Sequence, residues 1–545
     1  MKTDYDPDPL QTILMKEPEN YKILLVSPHE GEFPGVKSIS AFLTIKGIDN
    51  LSVPYEPGKK ESLLHLIRES QPSIIGFSLT YQRMFDDFAE LIVYLRRNGI
   101  MAHFTMGGHF PTIECIKIME YLPELDSIIR GEGEITLMKL YRKLKFPFIW
   151  DNIDGLCYRD EMSKIKVNNC RKLIENLDEL PIPEIVKSQM SKKSFRTANL
   201  MSNRGCYYSC NYCTSPGFYN ETTGIQRRSR SPQSVVKEME YLHYAKGVNI
   251  FNFEGDDFII NTAASRDWAY QFIDELKERK LTGKIVWKMS CRINDIERDI
   301  ICDLQKAGLI LIHLSIESGN NPNLQLFNNR YATEDILKVI NLLNEIDLSF
   351  EFSVMLLNPY STIETLKEDL KFIKRFSTSE AAVIHFSKMM VYTGTNLYNQ
   401  LMSQDRITGT FSSPDYNYTD NRLELFELIL HKAFHYRNND KNGLVNLLRS
   451  AKAECLLINT FNPGAESFFY YRNLKPLIKE ANKQLIETLG AVIDMISTLS
   501  YDEILNYWTI IENIVETHIE KEQRTTYLLN EILDYQLNFN HSEIC

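Results

Sequence analysis

A chain of 545 residues is longer than a single hydrophobic core sustains, so its length predicts two or three domains. Its 43% apolar, 11% aromatic and 24% charged residues exclude extended disorder, and no apolar run reaches the ~20 residues a membrane helix needs. The net charge of −11 argues against nonspecific nucleic-acid binding; RRSR at 227–230 is the one compact basic run.

The opening MKTDYDPDPLQTILMKEPEN carries acids and prolines where a secretory leader has a basic end and an apolar core, which predicts a cytosolic protein. From there YKILLVS, SIIGFSL and MAHFTMGG read as strands. They alternate with helical stretches over 38–45, in FDDFAELIVYLRRNG and over 112–121. Strands and helices alternating at these lengths predict a doubly wound parallel sheet over 1–145, whose ligand site lies beyond the carboxyl ends of its strands. Between 146 and 194 the periodicity weakens and Pro181 and Pro183 stand close together, which predicts a linker.

From 195 to 400 six strand-helix repeats predict a partial (β/α)6 barrel, with strands at 197–202, 249–253, 285–290, 309–316, 350–356 and 382–386. Ser231 before Pro232 predicts a capped helix start, Ser361 with Glu364 a capping box, and Gly308 a helix stop. After 400, Leu, Ile, Tyr and Glu at helical spacing predict a helical domain over 401–545. The fold class expected is therefore α/β with a helical C-terminal region.

Ten cysteines without regular spacing elsewhere do not form a disulfide framework, but three crowd into RGCYYSCNYC. Cys206, Cys210 and Cys213 follow the first barrel strand, at the end of a barrel where active sites lie. Three thiolates suit a soft metal. Structural zinc takes four ligands and ordinary iron–sulfur sites four thiolates, so a three-cysteine cluster leaves one iron open to a substrate or cofactor.

This spacing, C-x3-C-x2-C with the aromatic Tyr212 before the last cysteine, resembles the signature of the radical S-adenosylmethionine (radical SAM) superfamily. The resemblance implies that Cys206, Cys210 and Cys213 hold a 4Fe-4S cluster. Its open iron would chelate S-adenosylmethionine, whose reductive cleavage yields a hydrogen-abstracting 5′-deoxyadenosyl radical. It further implies that Glu254, Asp256 and Asp257 in FNFEGDDF face the methionine amine and that Arg292 engages its carboxylate. Glu317 and Ser318 in IHLSIESG would meet the ribose. VYTGTNLY resembles the sixth-strand region that passes the adenine, with Thr393 where the family more often has proline, and LLNPYSTIETL departs from the common glycine-rich fifth-strand pattern.

A doubly wound domain before such a barrel resembles the cobalamin-binding subgroup, in which Ser78, Gly107, Gly108, Thr112, Gly131 and Glu132 would line the cobalamin site. The motif D-x-H-x-x-G that supplies a lower histidine in other cobalamin proteins is absent, and His29 reads as a loop histidine.

The implied activity is cobalamin-dependent radical methylation of an unactivated carbon or phosphorus centre in a natural-product, peptide or lipid-type substrate. The electron donor implied is a flavodoxin or ferredoxin. A ring-forming or rearranging enzyme with the same cofactors is the second reading, and a noncatalytic cobalamin or cluster sensor a distant third. A methylthiotransferase carries three further cysteines at strand ends of its first domain, whereas Cys115 here reads as helical.

Overall fold

The structure is a computed structural model that describes residues 22–29, 33–183, 189–190, 195–376, 379–380 and 382–539. The N-terminal twenty-one residues and parts of 184–194 therefore lie outside the described residues. The first unit runs β1 (Ile23–Pro28), α1 (Pro34–Ile45), β2 (Asn50–Tyr55), α2 (Lys60–Ser70), β3 (Ile74–Ser78), α3 (Phe85–Arg97), β4 (His103–Gly107), α4 (His109–Ile113), α5 (Cys115–Tyr121), β5 (Ser127–Ile129), α6 (Gly133–Arg142), β6 (Leu156–Arg159) and β7 (Ile165–Val167). Its sheet has the order β2-β1-β3-β4-β5-β6-β7. The first five strands are parallel and covered on both faces, which is why ILLV in β1 is an unbroken apolar run.

The expected linker requires correction. Residues 156–167 form an antiparallel hairpin that extends this sheet, with Cys157 opposite Ile128 and Val167. Its last strand is short and largely exposed, so it leaves almost no alternating pattern in the sequence.

The second sheet, order β16-β15-β14-β13-β12-β9-β8, is the open half-barrel. It is built from β8 (Gln189–Met190), β9 (Arg196–Leu200), β10 (Asn203–Arg204), α7 (Thr214–Asn220), β11 (Arg228–Ser229), α8 (Pro232–Lys246), β12 (Val248–Phe253), α9 (Ala263–Glu278), β13 (Val286–Arg292), α10 (Arg298–Lys306), β14 (Leu309–Glu317), α11 (Asn321–Leu326), α12 (Thr333–Glu345), β15 (Ser349–Leu357), α13 (Ile363–Lys374) and β16 (Phe386–Lys388), with β10 and β11 forming a separate two-stranded ladder. Ser231 caps α8 by accepting the Ser234 N–H, with Pro232 at the first helical position. Gly308 turns into β14 at φ +110. The expected capping box moves by one residue: Thr362 caps α13 with Thr365, while Ser361 accepts the Asn358 N–H at 2.9 Å and closes the preceding turn.

The last barrel strand begins at Phe386 rather than Ala382. Upstream of it, side chains from the C-terminal helices take the hydrogen bonds a further strand would have made. Asn482 accepts from Ile384 and donates to the Ala382 carbonyl, and Arg437 donates to the Ile384 carbonyl. Those helices follow α14 (Asn396–Ser403), β17 (Ile407–Gly409) and β18 (Pro414–Tyr416). They are α15 (Arg422–Asn439), α16 (Leu444–Phe461), α17 (Ala465–Thr498), α18 (Tyr501–Asn506) and α19 (Trp508–Phe539). The β17–β18 hairpin was not expected in a helical region. Its tip reaches the first domain, where Phe411 packs against Phe85, Phe110 and Tyr121.

Candidate functional site

Antiparallel pairing of β10 with β11, Asn203 with Ser229 and Arg204 with Arg228, closes the neck of a loop over 205–227 that carries the three cysteines. Gly205 enters this loop at φ +87, where a Cβ would stand 2.1 Å from the Gln226 carbonyl oxygen, so the turn needs glycine. Each sulfur meets a donor. The Tyr208 N–H points at Cys206 Sγ (3.4 Å), Arg292 Nη1 donates to Cys210 Sγ (2.9 Å), and the Ser215 N–H points at Cys213 Sγ (3.5 Å) at the start of α7.

Burial and the nearby Asp257 carboxylate push the Cys206 thiol up, and burial does the same at Cys213. A coordinating metal removes such protons outright. Around the loop, Arg292 Nε, Asn329 Nδ2, Asn211 Oδ1 and Asn203 Oδ1 are buried without a partner. Among the described residues no three His, Cys, Asp or Glu side chains converge on a single ion. A cluster whose irons each take one thiolate needs no such convergence, and three thiols with unpaired polar groups around them fit it.

At the barrel mouth, Tyr212 stands edge-on to Phe327, and Glu317 lies at φ +65. Burial raises the Glu317 carboxyl while Tyr212 and Arg292 oppose the rise. Asp256 accepts from Ser215 Oγ at 3.5 Å, and Asp257, pushed up to about 7 by burial, accepts from Cys206.

The expectations for Arg292 and Ser318 change. Arg292 lies against the cysteine loop, with Nη1 on Cys210, Nη2 on Asn329 (2.7 Å) and its guanidinium over the Tyr208 ring, so only Nε remains without a partner. Ser318 is fully buried and its hydroxyl donates to Asp369 (2.9 Å), which also accepts from Gly319 and Asn320. The Ser318 side chain therefore shapes the turn after β14 from within and does not face a ribose.

A cleft of about 750 Å³ separates the barrel mouth from the carboxyl ends of the first sheet. Ser78, Gly107, Gly108 and Gly131 line it from one side and Glu254 and Asp256 from the other. Gly108 stands at φ +122, where a Cβ would come within 2.2 Å of the Leu79 carbonyl oxygen. Thr112 does not reach the cleft; it is buried and accepts the Gly131 N–H at 3.0 Å.

Glu132 borders the cleft but is already engaged. Arg204 (3.1 Å), Arg228 (3.0 Å) and the Ile174 N–H (2.8 Å) take both of its oxygens, and Arg204 also pairs with Glu134 (2.6 Å). The basic run RRSR is likewise internal: Arg228 joins this knot and Arg230 pairs with Glu238.

Sequence reasoning missed His109, which borders the cleft, stacks on Phe218 at 4.3 Å and is lowered to about 4 by burial. It also missed Gln82, which accepts from Thr393 and donates to the Phe411 carbonyl. The only signal for either was position directly after a predicted strand. Cys115 and Cys157 are both buried in the core of the first domain and do not line the cleft.

A doubly wound domain facing a half-barrel, with a three-thiol loop at the shared mouth, defines a two-cofactor radical enzyme. The Radical SAM superfamily profile matches residues 200–373 and the B12 binding domain profile matches 22–141. The chain belongs to the radical SAM superfamily, among the members that carry a B12-binding domain.

An uncharacterized methyltransferase of Pyrococcus horikoshii is 25% identical over 66% of this chain and 75% of its own length. The anaerobic magnesium-protoporphyrin IX monomethyl ester cyclase of Cereibacter sphaeroides is 26% identical over 66% of this chain, which spans only 57% of that relative. Among solved structures, the cobalamin-dependent S-adenosylmethionine radical enzyme OxsB aligns with TM-score 0.63, 15% identity, over 92% of this chain and 84% of its own. The radical S-adenosylmethionine methyltransferase TsrM from Kitasatospora setae aligns with TM-score 0.58, 17% identity, over 70% and 78%. These likenesses support the fold.

Proposed function

We propose that this radical SAM enzyme is a cobalamin-dependent methyltransferase that uses a 4Fe-4S cluster held by Cys206, Cys210 and Cys213. The observation that carries the reading is the shared cleft: the carboxyl ends of the first sheet and the cysteine loop open onto one space, so two cofactors bound there work on one substrate. Bound together, the cluster, S-adenosylmethionine and cobalamin supply one-electron reduction, hydrogen abstraction and a transferable methyl group.

The chain's own residues prepare that space. N–H donors at each sulfur favour the thiolate form. Gly107, Gly108 and Gly131 let a large cofactor approach the backbone, as in other open parallel sheets. Glu254 and Asp256 present carboxylates to an amine at the barrel mouth. Relatives named as methyltransferases in the comparisons support methyl transfer, and those named as cyclases support ring closure as the second reading.

Anaerobic reconstitution with iron, sulfide, cobalamin and S-adenosylmethionine, followed by a reductant such as reduced flavodoxin, separates the two. Methyl transfer yields S-adenosylhomocysteine together with 5′-deoxyadenosine and a product heavier by one methyl. Turnover giving 5′-deoxyadenosine with no S-adenosylhomocysteine removes methyl transfer in favour of cyclisation. Complete lack of S-adenosylmethionine cleavage removes the catalytic reading altogether.

A further inference from the structure

Asp295 ends the single turn Ile293–Asp295 that follows β13, three residues past Arg292, and is 3% exposed. Its carboxylate takes the Tyr208 hydroxyl on both oxygens (2.8 and 2.7 Å) and the Asn261 N–H on one of them (2.7 Å). A phenol pinned in this way fixes the place of its ring. That ring lies against the guanidinium of Arg292, whose Cζ stands 4.2 Å from the ring centroid. Hydrogen bonding to a carboxylate also pushes electron density into the phenol, which strengthens its hold on a cation.

Arg292 is aimed by this support. Its terminal nitrogens go to Cys210 Sγ (2.9 Å) and Asn329 Oδ1 (2.7 Å) rather than to a carboxylate. Tyr208 therefore serves two of the three sulfurs: its backbone N–H points at Cys206 and its ring supports the donor to Cys210. A long side chain loses much rotamer freedom when held in one geometry, and the fixed ring offsets that cost. Groups that orient the donors to a ligand tune the metal centre behind it. A donor with a full positive charge stabilises a cluster that has gained an electron, so it raises the reduction potential.

We propose that Asp295 is a positioning residue that acts through Tyr208 and Arg292 to raise the reduction potential of the cluster at Cys206, Cys210 and Cys213. The assignment rests on the reading of those cysteines as cluster ligands. One electron passes from a reductant of the flavodoxin class to the cluster, with no proton transferred and no bond changed at Asp295, Tyr208 or Arg292. The sign of the effect separates this role from a simpler one. A carboxylate felt only as a nearby negative charge lowers the potential, so its removal raises it. A carboxylate that acts by aiming the Arg292 donor does the reverse.

The test is a mediated redox titration of anaerobically reconstituted holoenzyme, read by the EPR signal of the reduced cluster. In Asp295→Ala the ratio of reduced to oxidised cluster at a fixed applied potential falls about tenfold, a midpoint shift of about 59 mV for one electron. Asp295→Asn keeps an oxygen for the phenol and stands at or above the wild-type midpoint. Tyr208→Phe keeps the ring but loses its anchor, and its midpoint falls with that of Asp295→Ala. In an Arg292→Met background, Asp295→Ala no longer lowers the midpoint.

An unchanged or raised midpoint in Asp295→Ala, an equal fall in Asp295→Asn, or the same fall with Arg292 already replaced overturns the proposal. Iron content and cobalamin absorbance matching the wild type confirm that each variant is folded and loaded. If Asp295→Ala does not load, Tyr208→Phe decides: a lowered midpoint supports the proposal and an unmoved one overturns it. Wild type that takes up no iron removes the reading of the three cysteines and this proposal with it. A normal wild-type cluster with unmoved midpoints in the variants removes the proposal alone.

Discussion

Arg204 lies two residues before Cys206, yet its guanidinium is held by Glu132, Glu134 and Ser38 of the first domain. Arg228, from the other strand of the neck, pairs with the same Glu132. Arg204→Ala strands buried carboxylates and is expected to cost about 3–5 kcal/mol in chemical denaturation. Because the neck of the cysteine loop loosens with it, the variant should also retain less iron after reconstitution than a denaturation-matched core variant. Alanine at Cys206, Cys210 or Cys213 should abolish iron binding and S-adenosylmethionine cleavage while cobalamin absorbance persists; retained iron in all three single variants would overturn their assignment as ligands.

His103, buried beside Trp150 and bonded to Ser127, is lowered to about 4 by burial, with Arg96 adding to the fall and Asp126 opposing it. A folded value below the ordinary 6.5 means that the unfolded chain binds the proton more readily. The stabilisation is complete above pH 6.5 and is lost as pH falls toward 4, on the order of 3 kcal/mol. Urea midpoints recorded between pH 7 and 4 should drop less steeply for His103→Asn than for the wild type.

At the scale of elements, the β17–β18 hairpin and the C-terminal helices do work that the barrel strands leave undone. Phe411 fills a gap between three aromatic rings of the first domain, and Ser412 donates to Asp86. Phe411→Ala is expected to cost about 2–3 kcal/mol and to weaken cobalamin affinity, measured by equilibrium dialysis, because the hairpin helps fix the first domain against the barrel. Unchanged affinity with lowered stability would limit the hairpin to packing.

Helix α16 covers an open edge: Arg449 and Lys452 donate to the carbonyls of Phe352 and Phe350, which β16 is too short to reach. This edge explains why the last strand was expected four residues early. The segment 382–384 is buried and apolar like a strand, but side chains from helices pair its backbone.

For the molecule as a whole, the cleft lies between two units tied by a buried ionic knot, so filling it should stabilise both. Cobalamin at a hundredfold excess over its dissociation constant adds about 2.7 kcal/mol. Calorimetry of wild type should show the barrel transition moving up with the first-domain transition on cobalamin loading, and Arg204→Ala should confine the shift to the first domain. No helix among the described residues is long and apolar enough to cross a membrane.

What the sequence alone determined are the features written in short range. The spacing of Cys206, Cys210 and Cys213, the unbroken apolar runs of the parallel strands and the Ser231-Pro232 cap each depend on neighbours within one turn or one strand. What only the tertiary structure decided are the partners of polar side chains. Glu132 and Ser318 look like open ligands in sequence because a carboxylate or hydroxyl carries no mark of what it will meet; Arg228 and Asp369, 96 and 51 residues away, claim them in the fold. Local periodicity follows from backbone geometry, whereas burial of charge forces pairing across the whole chain, and that pairing decides which groups remain free for chemistry.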